Sequence, residues 1–369
     1  MNLYFWHRLV SPHMTALVCA LAKAGHKVIY VAEALTSKDR SELGWKVPDL
    51  EGVNLILVNS KSDVLQVISN APVHSIHFCE GFRANGLISF VILSLISHKL
   101  KLWIIMETVN DSGLFGFIKK LEYARLFILR RKKIQGVLTI GYKTNDWVAS
   151  LGMPTNIIFP FTYFVNKFDH FYEPIIKRNK FRFIFVGNLI QRKNLHFLIC
   201  TLSRVNFIDW ELLVVGQGVL NDELRSLGNQ LLPGRIQWVG SLPIDEVPKI
   251  IANSDCLVLP SKFDGWGVVA SEAIMVGTQV ICSASCGVAG LVQASSYGGV
   301  FQNANSLYLE KLLDCVLAKG PMNIKLRKSL AQWGFCLSAK KGADYLLSIL
   351  KYIDQGGETP SAPWVNDMC

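Results

Sequence analysis

The chain has 369 residues, 50% of them hydrophobic, and 38 basic against 28 acidic side chains give it a formal net charge of +10. This length suits two domains, and no apolar run reaches the roughly 18 residues that a membrane-spanning helix needs. Nine scattered cysteines form no CxxC pair, which argues against a zinc site and favours a reducing compartment. Because the chain opens directly on a predicted strand, we expect no signal peptide and a cytoplasmic location.

Residues 1–165 are predicted to form an α/β domain that opens as a strand, a loop, the helix His13–Lys23 and a second strand. The first loop lacks GxGxxG, which argues against an NAD enzyme. The predicted strands are Asn2–Trp6, Lys27–Val31, Val53–Val58, Val73–Phe78, Leu102–Met106, Val137–Ile140 and Asn156–Phe159.

Polar residues follow several of these strands. They are His7, His13, Glu80 and Glu107. Because the carboxyl ends of parallel strands line the crevice of an open sheet, we predict that these side chains together face the cleft between the two domains. Each could equally be a capping or surface residue.

Phe115–Gln135 carries seven basic residues and one acid, interleaved with aromatic and aliphatic residues at helical spacing. A basic amphipathic helix of this kind is typical of proteins that lie on an anionic membrane. It could instead be a surface helix with one buried and one solvated face. Nucleic-acid binding is a third interpretation, which no recognised motif supports, so we expect no nucleic-acid partner. Residues 1–165 hold +7 of the net charge, which indicates an anionic partner.

A second domain is predicted to begin with the buried strand Phe181–Val186. Gly187 to Asn194 then leads into a helix, with Arg192 and Lys193 at its start. A loop that opens a helix and carries two bases suits an anion. Gly216 and Gly240 stand in turns after the next two strands.

The stretch Leu259–Ser283 is a strand, a glycine-lined loop, a short helix over Val268–Val276, and a further strand. A glycine turn at a helix start presents backbone N–H groups to a phosphate, and glycine lets the ligand approach closely. Asp264 and Glu272 can flank one ligand from loop and helix, since carboxylates accept hydrogen bonds from sugar hydroxyls.

This order of residues resembles the retaining GT-B glycosyltransferases of the large group 1 family, which use nucleotide sugars. Pro260-Ser261, an acid, a glycine, Glu272-Ala273 and Gly277 stand in the family's order. Three positions depart from it: Asp264 replaces the usual Glu, Gln279 the usual Pro, and Asn188 the usual Arg. The first domain resembles the family at Leu21 to Val28, but Ser11-Pro12-His13 takes the place of its glycine pair.

The resemblance implies a doubly wound α/β fold of two Rossmann-like domains facing a cleft. Lys193 and Arg192 would neutralise the donor diphosphate, Asp264 would contact the donor sugar, and Glu272 would hold the ribose hydroxyls. The predicted donor-binding residues are Gly187, Asn188, Arg192, Lys193, Gly216, Gly240, Asp264, Gly265, Trp266, Gly267, Val268 and Glu272. The predicted catalytic residues are Asp264, Lys193, Arg192, Glu107 and His13. No cofactor and no metal are expected.

We therefore predict an acceptor domain over 1–165, a linker over 166–180, a donor domain over 181–337, a helix over 338–354 that crosses back, and a mobile tail over 355–369. The predicted activity is transfer of a hexosyl group from a UDP- or GDP-sugar to a glycan or lipid-linked acceptor, as in lipopolysaccharide or polysaccharide synthesis. The enzyme would lie in the cytoplasm or peripherally at the inner face of the membrane. A hydrolase or epimerase of the same fold, and a non-catalytic subunit that binds nucleotide sugar, remain alternatives.

Overall fold

The computed structural model describes residues 1–36, 47–82, 86–111, 113–166, 178–207, 209–302 and 305–366. The chain divides into two compact units. The first comprises Met1–Asn166 and Leu337–Asn366, and the second lies within Lys167–Cys336. The predicted linker 166–180 falls mostly on residues 167–177, outside the described part of the chain.

The first unit is built on a seven-stranded parallel sheet in the order β3-β2-β1-β4-β5-β6-β7. Its strands are β1 (Asn2–Leu9), β2 (Lys27–Ala34), β3 (Asn54–Leu57), β4 (Ile76–Glu80), β5 (Lys101–Glu107), β6 (Ile134–Ile140) and β7 (Ile158–Phe161). Its helices are α1 (Pro12–Lys23), α2 (Lys61–Ser69), α3 (Ile88–Ser97), α4 (Gly113–Arg130), α5 (Thr144–Ser150), α13 (Ala339–Gln355) and α14 (Pro363–Asn366). The central strands are buried on both faces, which is why they are almost continuously apolar.

The second unit is built on a six-stranded parallel sheet in the order β10-β9-β8-β11-β12-β13. Its strands are β8 (Phe181–Val186), β9 (Trp210–Val215), β10 (Ile236–Gly240), β11 (Cys256–Leu259), β12 (Gln279–Ser283) and β13 (Gly298–Phe301). Its helices are α6 (Leu195–Leu202), α7 (Asn221–Leu231), α8 (Val247–Ala252), α9 (Val268–Met275), α10 (Ala289–Ala294), α11 (Ser306–Lys319) and α12 (Ile324–Gly334). The predicted fold class, two Rossmann-like doubly wound domains, is confirmed.

The predicted helix Phe115–Gln135 is wrong at its carboxyl end. The α-helix ends at Arg130, and a single 3₁₀ turn over Arg131–Lys133 leads directly into β6. Ile134 is buried and pairs with Leu102 of β5. This pairing takes Gln135 into the strand, so the sheet overrides the helical spacing of the sequence.

The carboxyl-terminal segment packs on the first unit. The Ala339 N–H donates to the Val165 carbonyl at 2.9 Å, and helix α13 lies against α1. The structure describes the predicted tail over 355–369 as far as Asn366. Ala362 is buried, and the Trp364 ring lies 6.4 Å from the ring of Tyr345, because these apolar residues cover α13.

Candidate active site

Three neighbouring strands of the second unit end in glycine turns that interlock. The Gly187 N–H donates to the Val215 carbonyl at 3.0 Å, and the Gly216 N–H donates to the Gly240 carbonyl at 2.8 Å. A Cβ atom on Gly216 would lie 2.0 Å from the Gly187 oxygen, and the φ of Gly216 is +136°. Glycine at 216 therefore lets the turn after β9 approach the turn after β8.

The loop after β8 brings the two predicted bases to the end of β11. Gln191–Lys193 forms a 3₁₀ turn, and Asn194 adopts the left-handed conformation (φ +58°) that starts α6. The Asn194 side-chain amide donates to the Pro260 carbonyl at 3.2 Å, and the Lys262 N–H donates to the Arg192 carbonyl at 2.9 Å. These bonds fix the two loops against each other.

Asp264 pairs with both bases. The Lys193 Nζ lies 2.5 Å from Asp264 Oδ2, and the Arg192 guanidinium lies 3.4 Å from Oδ1. The Arg192 guanidinium also donates to the Phe263 carbonyl at 3.0 Å. The Asp264 and Lys193 side chains are mostly buried, whereas the Arg192 side chain is 45% exposed. The structure thus brings these three predicted residues together as one ion cluster.

The loop from Asp264 to Gly267 is held on the turn after β12. The Asp264 N–H donates to the Ser285 carbonyl at 3.1 Å, and the Gly287 N–H donates to the Asp264 carbonyl at 2.9 Å. Gly267 has a φ of +97° and precedes the first residue of α9, Val268. The Ala270 N–H donates to the Gly267 carbonyl at 2.9 Å. The N–H groups of Val268 and Val269, at the start of α9, have no acceptor within the helix, so they can bind an anion.

Trp266, one of the predicted donor-binding residues, is buried. It is 5% exposed, and its indole N–H donates to the Ser271 hydroxyl at 3.0 Å. The indole is therefore packed inside the protein. It fixes the loop to the first part of α9.

Glu272 lies in α9 with part of its side chain exposed. Desolvation by the surrounding protein raises the pKa of its carboxyl to about 7. Near neutral pH this group therefore exchanges between a hydrogen-bond donor and a pure acceptor. Such raised pKa values are common among groups that bind or react with a ligand.

His13 and Glu107 belong to a separate cluster in the first unit. The Tyr163 hydroxyl donates to Glu107 Oε1, and the Tyr163 ring lies 5.4 Å from the His13 ring. Desolvation, and then the charge of Glu107, raise the pKa of Tyr163 well above its usual value, so that it remains a donor. Close by along the sheet edge, His7 Nδ1 lies 3.1 Å from Glu80 Oε2.

Sequence reasoning missed Tyr163, which joins His13 to Glu107. It lies just after β7, in a stretch that the sequence assigned to the end of the domain. The one available signal was an aromatic hydroxyl beyond the carboxyl end of a parallel strand, the position used to select His13 and Glu107. Within the described ranges, no group of three or more His, Cys, Asp or Glu side chains is placed to hold a metal ion.

Comparison with known proteins shows what the sequence of the second unit resembles. Residues 166–333 match the family described as Glycosyl transferases group 1. An uncharacterized glycosyltransferase of Methanocaldococcus jannaschii, MJ1607, is 28% identical over 156 residues, which are 41% of this chain and 36% of the relative. A second such protein, MJ1178, is matched over 43% of its length, so the chain spans less than half of the curated relatives that it matches first.

Solved structures are similar over nearly the whole chain. The Anabaena protein Alr3699/HepE, crystallised with UDP, has a TM-score of 0.73 at 14% identity, over 95% of this chain and 100% of that one. The lipopolysaccharide outer core galactosyltransferase WaaB has a TM-score of 0.70 at 14% identity, over 94% and 99%. At such identities the likeness shows the fold. The chain therefore has the GT-B fold, and its residues 166–333 match the glycosyl transferases group 1 family.

Proposed function

We propose that this protein is a glycosyltransferase that moves a hexosyl group from a nucleoside diphosphate sugar to an acceptor hydroxyl, with retention of anomeric configuration. The ion cluster of Arg192, Lys193 and Asp264 beside the start of α9 carries this proposal. Two cations and a set of helix N–H groups are what a diphosphate needs, and Asp264 holds the cations in place until a donor binds.

The leaving diphosphate would be stabilised electrostatically. Lys193, Arg192 and the N–H groups of Gly265 to Val268 are fixed by the loop contacts described above, so they need little reorganisation when charge develops. We propose that these groups act without a metal or other cofactor.

The two acids would recognise the rest of the donor. Asp264 would accept hydrogen bonds from hydroxyls of the transferred sugar once the diphosphate occupies its cations. Glu272, in its ionised form, would accept hydrogen bonds from the ribose hydroxyls. HepE was crystallised with UDP-glucose as well as UDP, which supports UDP-sugars as the first donors to test.

The first unit would bind the acceptor. Glu107 is oriented by the Tyr163 hydroxyl, and His13 lies against the same ring, so carboxylate, imidazole and phenol are available to an acceptor hydroxyl. We propose a glycan or a lipid-linked glycan of the lipopolysaccharide or polysaccharide type as acceptor. The enzyme would then work peripherally at the inner face of an anionic membrane.

A donor panel tests this function. UDP-glucose, UDP-galactose, UDP-N-acetylglucosamine and GDP-mannose would be compared by thermal shift, since a ligand that binds only the folded protein raises its stability. Donors that bind would be incubated with and without acceptor glycans, and the anomeric configuration of the product would be read by NMR. Donor consumption without any acceptor would indicate a hydrolase or epimerase, and binding without turnover a non-catalytic subunit. An inverted product would overturn retention.

A further inference from the structure

Helix α4 presents large apolar side chains to solvent along the first half of its length. Leu114 is 85% exposed, Phe115 82%, Phe117 59%, Ile118 58% and Leu121 56%. These five large apolar side chains are exposed within one short stretch of helix, so they form an exposed apolar patch. Exposed apolar patches of this size mark interaction surfaces.

The fold of the first unit does not account for this face, because α4 already packs through its other side. The Phe127 ring is fully buried and meets the Phe82 ring edge-on at 4.6 Å, and the Tyr123 ring meets the Trp147 ring at 5.3 Å. A Cβ atom on Gly116 would lie 2.0 Å from the Asp111 backbone, so glycine lets the preceding loop press on the same side.

At about 100° per residue, Leu114, Ile118 and Leu121 lie roughly 120–180° around the helix from Phe127, and Phe117 lies about 80° from it on the same side. The helix thus has a face for the domain and a second apolar face directed away from it. A helix with one buried apolar face and one solvated polar face would explain the helical spacing without a partner. The exposures exclude that explanation.

Charge selects the kind of partner. Lys119 and Arg125 are exposed on α4, and Arg131–Lys133 are exposed on the turn that follows, whereas Glu122 is the single acid between Gly113 and Lys133. Protein–protein interfaces are depleted in lysine, whereas a basic helix with Phe and Leu on one face is typical of binding to anionic lipid. The combination therefore fits a bilayer surface.

Arg130 does not belong to this cationic group. Its guanidinium lies 6.0 Å over the Phe82 ring, and desolvation lowers its pKa. The exposed cations at this end of the helix are thus three, Arg131, Lys132 and Lys133, rather than the four consecutive bases of the sequence.

We propose that α4 lies in the surface of an anionic bilayer, with Leu114, Phe115, Phe117, Ile118 and Leu121 inserted among the acyl chains and Arg131–Lys133 on the headgroups. Binding would come mainly from apolar insertion, with charge adding the preference for anionic lipid.

Placing α4 in the bilayer favours a lipid-linked glycan as the acceptor, and this part of the inference rests on the proposed function. The helix α4 begins at Gly113, six positions after Glu107, so the chain keeps Glu107 within about 20 Å of the start of the inserted helix. The Trp147 indole N–H donates to the Asp111 carboxylate at 2.9 Å, which ties down the connecting loop. An acceptor glycan anchored in the same bilayer by a lipid would present its hydroxyls near Glu107.

Vesicle co-sedimentation of the full chain tests the surface. Vesicles of phosphatidylcholine alone, or with about 30 mol% phosphatidylglycerol, would be used at about 0.1 M and 0.5 M NaCl. The test variant carries Leu114→Gln, Phe115→Gln and Phe117→Gln, since glutamine keeps helix propensity. The matched control carries Leu65→Gln, Val73→Gln and Leu93→Gln, which are 41%, 77% and 52% exposed elsewhere on the first unit.

We expect the wild type and the control to sediment with anionic vesicles at both salt concentrations. The test variant should lose at least about tenfold in partition coefficient. A second variant with Arg131, Lys132 and Lys133 changed to Gln should show a smaller preference for anionic over neutral vesicles than the wild type, with Lys119 and Arg125 supplying what remains.

Three results would overturn the proposal. The first is that the wild type does not sediment with anionic vesicles at low salt. The second is that the test and control variants lose vesicle binding equally. The third is that the protein forms a dimer without lipid and the test substitutions abolish it, which would show that this face is a contact between two copies of the chain. Donor use with a water-soluble acceptor is measured on the same variants without vesicles. This measurement separates failure of the membrane proposal from failure of the proposed function. The test variant should keep that activity within about twofold, because it touches none of the donor-site residues.

Discussion

Replacing Glu272 by glutamine is expected to stabilise the fold at alkaline pH while it weakens donor binding. Desolvation raises the pKa of Glu272 from 4.5 to about 7 in the folded protein. The folded state therefore holds a proton that the unfolded state releases, and folding becomes less favourable as pH rises from 4.5 to 7. Below 4.5 the carboxyl is neutral in both states and the penalty disappears.

The magnitude follows from the two pKa values. Each pH unit between them corresponds to about 1.36 kcal/mol, so Glu272 opposes folding by about 3 kcal/mol at pH 8 and by less than about 1 kcal/mol at pH 5. The value at pH 8 is an upper limit, since the side chain keeps part of its surface in water. Urea unfolding of wild type and Glu272→Gln at the two pH values should show this difference. An equal change in the free energy of unfolding at pH 5 and pH 8 would refute the reasoning.

Donor affinity should change in the opposite direction. The ionised carboxylate is the better acceptor for ribose hydroxyls, so wild-type affinity should fall as pH drops below about 7. Calorimetry with UDP-glucose is the measurement, because a nucleotide sugar has no terminal phosphate that titrates near pH 6. Glu272→Gln should bind more weakly at pH 8 and should lose the pH dependence. A pH dependence that persists in the variant would mean that another group is responsible.

Three further changes test the donor site and its scaffold. Lys193→Ala should lower kcat/KM for the donor about 10- to 150-fold, because a charge-assisted contact is lost. The control Lys249→Ala removes a lysine from an exposed i,i+3 ion pair and should have no effect. Equal kinetics for the two variants would contradict the role of Lys193. Asp264→Asn should reduce turnover more than UDP affinity, since it frees the cations for the diphosphate, and calorimetry showing a parallel loss of both would count against that assignment. Gly216→Ala should lower the melting temperature more than Gly234→Ala, because both have positive φ but only the first would place a Cβ against backbone; equal shifts would show that the strand-end turns can separate.

The sequence determined the features that depend on neighbours along the chain. Buried strands, glycine turns and bases at a helix start each follow from interactions over a few residues, and these indicated the strand ends that form the proposed donor site. The family resemblance then assigned Arg192, Lys193, Asp264 and Glu272 to one ligand. The error at the end of the predicted helix also comes from local reasoning. The helical spacing of apolar residues extends along the sequence to Gln135, but in the structure β6 pairs with β5 and Gln135 belongs to the strand.

Tertiary structure decided what depends on distant segments. Lys193 and Asp264 are 71 residues apart, and they meet because β8 and β11 are adjacent parallel strands whose carboxyl ends share one edge. The contact of Tyr163 with His13 and Glu107 arises in the same way in the other sheet. The raised pKa of Glu272 and the outward apolar face of α4 depend on which atoms surround a side chain. Desolvation and exposure are properties of the packed molecule, so no pattern along the chain could specify them.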